Sequence, residues 1–316
     1  MKIIVTGGCG YVGSILVKKL IKNHFVRVID NQWFGNYLPE NKNLEIVKAD
    51  IRDISKDENF KGYDAIIHLA NIANDPSVDL DPSLSWEVNV LAAKKLIEIS
   101  IKNNLKKFIY ASSGSVYGIK DELNVTEDLD LFPISTYNKT KMICERLLLS
   151  YKDKIELFIV RPATVCGFSP RMRFDVSVNM LTLQALKKKK ITIFGGKQIR
   201  PAIHIDDMVS LYEHFLFSSI ETGIYNAGFE NISILDLGKK IQKIINCEIE
   251  IKKDVNDPRS YRLSSKKLLD TGFKKNFSVE DAILQLKKLY EENKLIENDS
   301  CYTVKWMKKI LHVDRN

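Results

Sequence analysis

The stretch that decides the fold runs from residue 3 to residue 13 and reads IIVTGGCGYVG. Its apolar start predicts a buried first strand, and residues 11–23 predict an amphipathic helix after it. The glycines at 7, 10 and 13 stand between the two, where they permit a tight turn and let backbone N–H groups approach a pyrophosphate, whose charge the helix N-terminus also favours. We therefore expect a dinucleotide to be bound by Gly7, Gly10, Tyr11, Val12 and Gly13.

Short apolar runs alternate with longer amphipathic runs along the first half of the chain. Val, Ile and Phe fill the short runs continuously, which is typical of parallel strands buried on both faces. This alternation predicts the α/β class, as a doubly wound parallel Rossmann sheet with helices on each side. The predicted strands are residues 3–6, 26–30, 45–50, 65–70, 108–112 and 156–161, and the predicted helices are residues 11–23, 82–103, 136–151 and 176–189.

The pattern loosens after about residue 168, where strands such as residues 191–194 become shorter and loops contain more Gly and Pro. We therefore predict a dinucleotide-binding domain over residues 1–168. Residues 169–316 are expected to form mostly a smaller α/β substrate-binding domain over the carboxyl edge of the sheet, with residues 203–222 packing back on the first domain. The tail beyond Tyr290 carries Trp306 and predicts a docking helix without an assigned chemical role.

The composition limits the classes of protein to which this chain can belong. Of its 316 residues 45% are hydrophobic, but no apolar run reaches the length of a membrane span. Met1-Lys2 leads directly into the first strand, so we expect a cytoplasmic protein without a signal peptide. The five cysteines lack metal-site spacing, which predicts reduced thiols and no metal. Although the net charge is +8, the lysine run at 187–190 fits a solvated helix end better than a nucleic-acid site, and a polyanion partner stays the alternative.

Two aspartates are predicted to end the second and third strands. A carboxylate at Asp30 can accept both ribose hydroxyls of an adenosine and would repel a 2′-phosphate, which favours NAD over NADP. Asp50 could accept a hydrogen bond from the adenine amino group, with an ordinary strand-end cap as the alternative. Together with the glycine loop, Asp30 predicts NAD as the cofactor.

A cluster of hydroxyl groups, SSGSVYG at residues 112–118, follows the apolar run at 108–111, and Tyr137 and Lys141 share a face of the helix predicted after it. A free tyrosine has a pKa of about 10, which is too high for a base at neutral pH. Lys141 and a positively charged nicotinamide together are expected to bring the pKa of Tyr137 to about 7. Tyr137 would then take a proton from a sugar hydroxyl that Ser113 holds. A second Tyr-x-x-x-Lys copy, Tyr290 with Lys294, is interpreted as chance.

These residues resemble the extended short-chain dehydrogenase/reductase family, whose NAD-dependent epimerases and dehydratases act on nucleotide sugars. The resemblance covers nearly the whole chain and includes HLAN at 68–71, RPATVCG at 161–167 and IRPAIHIDD at 199–207. It implies a nucleotide-sugar substrate and a homodimer. It also implies cofactor contacts at Asn31, Ile51, Leu69, Ala70, Asn71, Asn89, Lys141 and Pro162, and substrate contacts at Ser115, Asn179, Arg200 and Arg259.

The resemblance also bears on the reaction. The family's 4,6-dehydratases carry an Asp-Glu pair just after the catalytic hydroxyl, and here Gly114 and Ser115 stand in those places, so elimination of water is disfavoured. Oxidation at C4 of the sugar remains. The segment at 161–175 looks most like capsule-pathway enzymes that oxidise GDP-linked heptoses, which favours a 4-dehydrogenase for surface polysaccharide synthesis and makes Arg171 and Arg173 candidate substrate contacts.

Two alternatives stay open. One is a 4-epimerase acting on a UDP- or GDP-hexose, because the sequence does not show whether the oxidised sugar turns over in the site or leaves it. The other, from a different class, is a non-catalytic NAD-binding regulator. The sequence leaves the sugar, the nucleotide and the oligomeric state undecided.

Overall fold

The computed structural model of the chain describes residues 1–54, 60–252 and 260–312. Its first half consists of β1 (Lys2–Thr6), α1 (Gly13–Leu20), β2 (Phe25–Asp30), β3 (Leu44–Lys48), β4 (Ala65–His68), α2 (Asp75–Val78), α3 (Pro82–Trp86), α4 (Ala92–Lys102), β5 (Lys107–Ala111), α5 (Thr136–Leu149) and β6 (Glu156–Pro162). Its second half consists of β7 (Thr164–Cys166), α6 (Ser177–Lys188), β8 (Lys190–Phe194), β9 (Ile199–His204), α7 (Ile205–Phe217), β10 (Gly223–Ala227), β11 (Glu230–Ser233), α8 (Ile234–Ile245), β12 (Glu248–Lys252), α9 (Lys266–Asp270), α10 (Val279–Glu291) and α11 (Thr303–Ile310).

Seven parallel strands form the central sheet, in the order β10-β6-β5-β4-β1-β2-β3. The chain starts at β1, adds β2 and β3 on one side, and then crosses over to build the other side from β4 onward. Thr6, at the end of β1, pairs with Ile29 of β2 and with His68 of β4. Ligands of open α/β sheets bind at such a reversal of strand order. The predicted doubly wound Rossmann sheet is confirmed.

The strands are buried on both faces because helices cover each side of the sheet. Along β1, Ile3 and Val5 point to the side that packs against α1 and α7, whereas Ile4 points to the side that packs against α4 and α5. All three side chains are fully buried. Successive strand residues point to opposite faces, so an unbroken apolar run fits this position.

The second half of the chain adds two smaller sheets, a three-stranded one in the order β11-β9-β7 and a two-stranded one of β12 and β8. Helices α6, α8 and α10 pack with them around a separate apolar cluster. Two elements of this half join the first instead: β10 pairs with β6, and α7 packs against α1. The boundary at residue 168 stays a prediction.

The helix predicted over residues 82–103 is interrupted. Between α3 and α4 the residues Glu87–Leu91 form a π-helical turn. The side chain of Asn89 in this turn accepts a hydrogen bond from the Ile72 N–H at 2.8 Å and donates to the Ile72 carbonyl oxygen at 3.1 Å. A π-turn is a local feature that often marks functional sites and leaves no trace in apolar periodicity.

The predicted docking helix in the tail is present as α11, where the Trp306 ring nitrogen donates to the backbone oxygen of Trp33 at 2.6 Å. All five cysteines are free thiols and buried. Within the described ranges, no helix has the length and apolar character needed to cross a membrane.

Candidate active site

A cavity of about 810 Å³ opens at the carboxyl edge of the central sheet and extends to elements of the second half of the chain. It brings together most of the residues that the sequence predicts for binding and catalysis. Those on its wall are Gly7, Gly10, Tyr11, Val12, Gly13, Asp30, Asn31, Asp50, Ile51, Leu69, Ala70, Asn71, Ser113, Ser115, Tyr137, Lys141, Pro162, Arg171, Arg173 and Arg200.

The glycine loop is packed so tightly at Gly7 and Gly13 that a side chain would not fit at either position. A Cβ atom at Gly7, whose φ is +73°, would lie 2.5 Å from the backbone nitrogen of Ala70. A Cβ atom at Gly13 would lie 2.3 Å from the carbonyl oxygen of Gly7. The N–H groups of Ser14 and Leu16 in α1 already donate to the carbonyl oxygens of Gly10 and Val12, so a phosphate at this cavity wall would be held by the glycine loop just before the helix, at the positive end of its dipole.

Asp30 forms the carboxylate at one end of the cavity, which we call the adenosine end. One carboxylate oxygen accepts a hydrogen bond from the Cys9 N–H at 2.9 Å, and the other accepts from the Gln32 N–H at 2.7 Å. Burial raises the pKa of Asp30, while these two bonds and the charge of Arg171 act in the opposite direction. Each oxygen keeps a lone pair, so both can still accept from ribose hydroxyls.

Asp50 lies on the same cavity wall but is already engaged by Arg52. Both of its oxygens accept hydrogen bonds from the Arg52 guanidinium, at 3.1 and 3.0 Å, and one also accepts from the Arg52 backbone N–H. Burial alone would raise the pKa of Asp50, but the bonds from Arg52 lower it. The predicted adenine contact stays a prediction, and the strand-end cap describes these contacts well.

The other end of the cavity, which we call the sugar end, holds the predicted catalytic hydroxyls. The Ser113 and Ser115 hydroxyls are 2.7 Å apart, and Ser115 donates to the side-chain oxygen of Asn138 at 2.6 Å. The Ser113 hydroxyl acts on the phenol of Tyr137, the first-turn neighbour of Asn138 in α5, and favours a lower pKa there. Asn138 directly follows the predicted base, but no sequence motif marks it as part of the site.

The two residues of the Tyr-x-x-x-Lys pair are close, but Lys141 is not the charge that acts most on the pKa of Tyr137. The Lys141 ammonium donates to the Ala111 carbonyl oxygen at 2.7 Å and lies 5.9 Å from the centre of the Tyr137 ring. Burial raises the pKa of Tyr137 to about 12, and the opposing charge is that of Arg173 rather than Lys141. Burial also lowers the pKa of Lys141 to about 8. The expected pKa near 7 includes the charge of a bound nicotinamide and stays a prediction; in the protein without ligands the pKa of Tyr137 is raised instead.

Comparison with known proteins identifies the family. The sequence matches the NAD dependent epimerase/dehydratase family over residues 3–228. This chain belongs to that family. It is an NAD-dependent enzyme, and we expect the cavity that joins the glycine loop to Tyr137 to hold the NAD.

Individual relatives of this epimerase/dehydratase are similar over most of their length. An uncharacterized UDP-glucose epimerase from Bacillus subtilis is 32% identical over 77% of this chain and 82% of its own. A UDP-glucose 4-epimerase from Lactobacillus helveticus is 28% identical over the same shares. The solved structure of UDP-glucuronic acid 4-epimerase from Bacillus cereus, in complex with UDP-glucuronic acid and NAD, is 28% identical, has a TM-score of 0.80 and matches 93% of this chain and 100% of its own.

The cavity walls of this epimerase/dehydratase fit NAD. The glycine loop supplies the close backbone approach that a pyrophosphate needs, since a Cβ atom at Gly7 or Gly13 would collide with backbone. Asp30 supplies acceptors for ribose hydroxyls. When bound, NAD supplies the hydride acceptor for the oxidation of an alcohol.

Replacing Asp30 with alanine should weaken NAD binding by about tenfold to a hundredfold, because a charged acceptor for the ribose hydroxyls is lost. NADP binding should change less, because the same substitution removes the charge that repels its 2′-phosphate. Calorimetric titration with both dinucleotides measures this, with Asp53→Ala as the control at an exposed neighbouring aspartate. Equal weakening of both dinucleotides would show that Asp30 does not contact the ribose.

Two asparagines to which the resemblance assigned ligand contacts make hydrogen bonds within the protein, and their ligand contacts stay predictions. Asn179 is fully buried, accepts from the Gly167 N–H at 3.0 Å, and donates to the Arg173 carbonyl oxygen at 2.9 Å and to the Tyr11 hydroxyl at 3.0 Å. These bonds use its amide to hold the loop before α6. Asn89 is equally buried and holds the loop at Ile72. Neither lines the cavity, and Arg259 lies outside the described residues.

The three predicted arginines of the substrate side line the cavity at different places. Arg171 lies toward the adenosine end, with its guanidinium carbon 4.0 Å from the centre of the Phe34 ring. Arg173 forms a two-pronged ion pair with Asp175, at 2.9 and 3.1 Å, and its charge acts on Tyr137. Arg200 lines the cavity from β9. The predicted substrate contact at Arg171 stays a prediction, and its position favours a contact with the adenosine part of a ligand.

A buried ion pair lies directly beneath the catalytic helix. Glu145 and Arg161 are 1% and 3% exposed, and their charged groups are 2.7 Å apart. Ser112, the neighbour of Ser113, donates its hydroxyl proton to the Glu145 carboxylate. Glu145 lies one turn after Lys141 on α5, so this network fixes the helix that carries Tyr137 against the ends of β5 and β6. In the sequence, the position of Glu145 four residues after Lys141 indicates that the two side chains share a face of the helix.

Several other cavity residues were missed because no local motif marks them. They include residues after β2, residues of the second half, and two residues of the tail helix. The main ones are Trp33, Phe34, Asn74, Asp175, Phe194, Tyr261, Thr303 and Met307.

Proposed function

We propose that this protein is a 4-epimerase of UDP-sugars. The observation that carries the proposal is the pairing of Tyr137 with Ser113 at a site where Gly114 and Ser115 stand in place of an acid pair. The similarity to UDP-glucose and UDP-glucuronic acid 4-epimerases supports the same reaction. Oxidation at C4 followed by return of the hydride needs only one residue that takes and gives back a single proton.

Tyr137 takes the proton of the C4 hydroxyl as hydride leaves C4, and returns a proton to the oxygen after the sugar has turned over. Ser113 holds the same oxygen by a hydrogen bond. Burial works against the phenolate, because it raises the pKa of Tyr137 to about 12. Positive charge brought to the site with the oxidised cofactor lowers that pKa, as the nearby guanidinium of Arg173 does already.

The site disfavours elimination of water. Gly114 has no side chain, and a Cβ atom there would lie 3.2 Å from the Pro162 carbonyl oxygen. Ser115 has one hydroxyl proton, which it donates to Asn138 at 2.6 Å. Neither residue can act as the strong acid or base that a 4,6-dehydratase requires.

The 4-dehydrogenase acting on a GDP-linked heptose, which the segment at 161–175 favoured, has less support. In that segment Arg171 faces the adenosine end, and Asp175 neutralises Arg173. The relatives named above are epimerases of UDP-glucose and UDP-glucuronic acid. A role in capsule synthesis, and the homodimer that the resemblance implied, stay predictions.

Incubation of the protein with UDP-glucose, UDP-glucuronic acid and GDP-sugars, followed by NMR, tests the proposal. We expect a UDP-sugar to reach an equilibrium mixture with its C4 epimer without net formation of NADH. Accumulation of a ketosugar with equal NADH would instead show a dehydrogenase, and a 4-keto-6-deoxy sugar would show a dehydratase. NAD binding without turnover of any sugar would favour the regulator.

A further inference from the structure

The C-terminal helix α11 lies against the loop that follows β2, at the adenosine end of the cavity. Thr303 and Met307 line the cavity, and both are nearly fully buried. On the next face of the helix, Trp306 donates to the Trp33 backbone oxygen at 2.6 Å. The family match ends at residue 228, so this helix lies outside the matched region. The tail therefore supplies part of the cofactor wall.

Arg171 connects α11 to the same loop. Its guanidinium lies over the Phe34 ring at 4.0 Å, and one of its nitrogens donates to the Thr303 hydroxyl at 3.4 Å. The side chain is only 4% exposed, and its Nε has no hydrogen-bond partner among the residues that the structure describes. A buried guanidinium without a bonded carboxylate is costly unless an anion comes near it.

The start of α11 is tied to the segment that carries both arginines. The Thr303 N–H donates to the Asp175 carboxylate at 3.2 Å, and the same carboxylate pairs with Arg173. Burial and the neighbouring charge of Arg173 lower the pKa of Arg171 to about 10, so Arg171 stays charged at neutral pH. Two guanidinium groups thus line the cavity with the Asp175 carboxylate paired to Arg173, while the charge of Arg171 also acts on the Asp30 carboxylate without a hydrogen bond between them.

We propose that α11 and Arg171 form the outer wall of the adenosine half of the NAD site, and that they keep NAD bound between turnovers. The pyrophosphate, with one negative charge on each phosphate, is the anion that Arg171 would attract in a cavity that the glycine loop also lines. The inference rests on the proposed function in one respect: an epimerase regenerates its oxidised cofactor on every turnover, so the cofactor has no need to leave. A dehydrogenase would have to release NADH each time.

Release of NAD from the purified full-length protein tests this. The dissociation rate is measured by stopped-flow displacement, and the retained NAD is measured by chromatography after gel filtration. Arg171→Gln should release NAD about tenfold to a hundredfold faster, because a charged contact is lost. Trp306→Phe, which keeps an aromatic ring but removes the bond to Trp33, should release it about twofold to tenfold faster. Lys305→Ala, at an exposed position on the same helix, is the matched control and should match the unchanged protein.

The outcomes are distinguishable from failure of the proposed function, because NAD release needs no sugar. Unchanged release in both Arg171→Gln and Trp306→Phe, with Lys305→Ala also unchanged, would overturn the proposal. Loss of NADP binding alone in Arg171→Gln would also overturn it, since Arg171 would then serve a 2′-phosphate. Melting curves of the NAD-free variants separate faster release from unfolding: the proposal requires faster release from Trp306→Phe at an unchanged melting temperature.

Discussion

Replacing Tyr137 with phenylalanine should lower turnover by about a hundredfold to ten-thousandfold while NAD still binds. The substitution removes the phenol oxygen that exchanges the proton with C4 and preserves the ring that packs beside α4 and α5. Turnover is measured with the UDP-sugar that the NMR assay identifies, and NAD binding is measured by calorimetry. Turnover that stays within a few-fold of the unchanged protein would reject Tyr137 as the base.

The chain carries its own control for this experiment. Tyr290 and Lys294 repeat the Tyr-x-x-x-Lys spacing, but Lys294 pairs with Glu292 at 2.8 Å and neither residue lines the cavity. Tyr290→Phe should therefore leave turnover unchanged. If both substitutions reduced turnover equally, the effect would come from general loss of structure.

The pKa of Tyr137 gives a second measurement. Because burial raises it to about 12, the phenol is protonated at neutral pH in the NAD-free protein. Bringing positive charge to the site lowers this pKa, so tyrosinate absorbance at a fixed alkaline pH should increase when oxidised NAD binds. The increase should be absent in Tyr137→Phe and present in Tyr290→Phe.

Replacing Glu145 with alanine should lower the free energy of unfolding by about 3–5 kcal/mol, because the charge of Arg161 would be left buried without its partner. Ser112 would lose its acceptor at the same time. Since the pair holds α5 against β5 and β6, turnover should fall as well, even where the folded variant retains NAD. Denaturant unfolding and the UDP-sugar assay measure the two effects.

A surface pair provides the comparison. Glu98 pairs with Lys94 on α4, and both side chains are more than two-fifths exposed. Glu98→Ala should cost well under about 1 kcal/mol, as exposed pairs do. Replacing both Glu145 and Arg161 with leucine should recover part of the stability, because no charge then stays buried alone. A loss from Glu145→Ala as small as that from Glu98→Ala would contradict the role assigned to the buried pair.

The sequence was sufficient for those parts of the site that depend on short-range chemistry. The glycine loop, Asp30 and Tyr137 are each marked by a residue type at a fixed place after a strand or on a helix, and the structure gathers them in one cavity. Most strand and helix boundaries followed from apolar runs in the same way, with the helix predicted over residues 82–103 as an exception. These features depend on neighbours in the chain, which a sequence displays directly.

The features that the sequence did not reveal depend on contacts between distant segments. Nothing near Asn179 shows that its amide holds the loop at Gly167 and Arg173, and the π-turn at Asn89 has no periodic signal. The raised pKa of Tyr137 in the protein without ligands depends on burial, and the Lys141 ammonium donates a hydrogen bond to the Ala111 carbonyl oxygen; the sequence shows neither. The docking of the tail was expected, but its place against Trp33, in the loop after β2, was not.

The pairing of β10 with β6 has a consequence for how the chain is made. Until residue 227 has left the ribosome, the outer side of β6 presents a row of unsatisfied backbone groups on an apolar strand that reads LFIV at residues 157–160. Unpaired edge strands of this kind promote association between nascent chains. Synthesis of the first 168 residues alone therefore leaves the outer edge of β6 unpaired. Pairing with β10, which is made later, satisfies these backbone groups and lowers the risk of aggregation during synthesis.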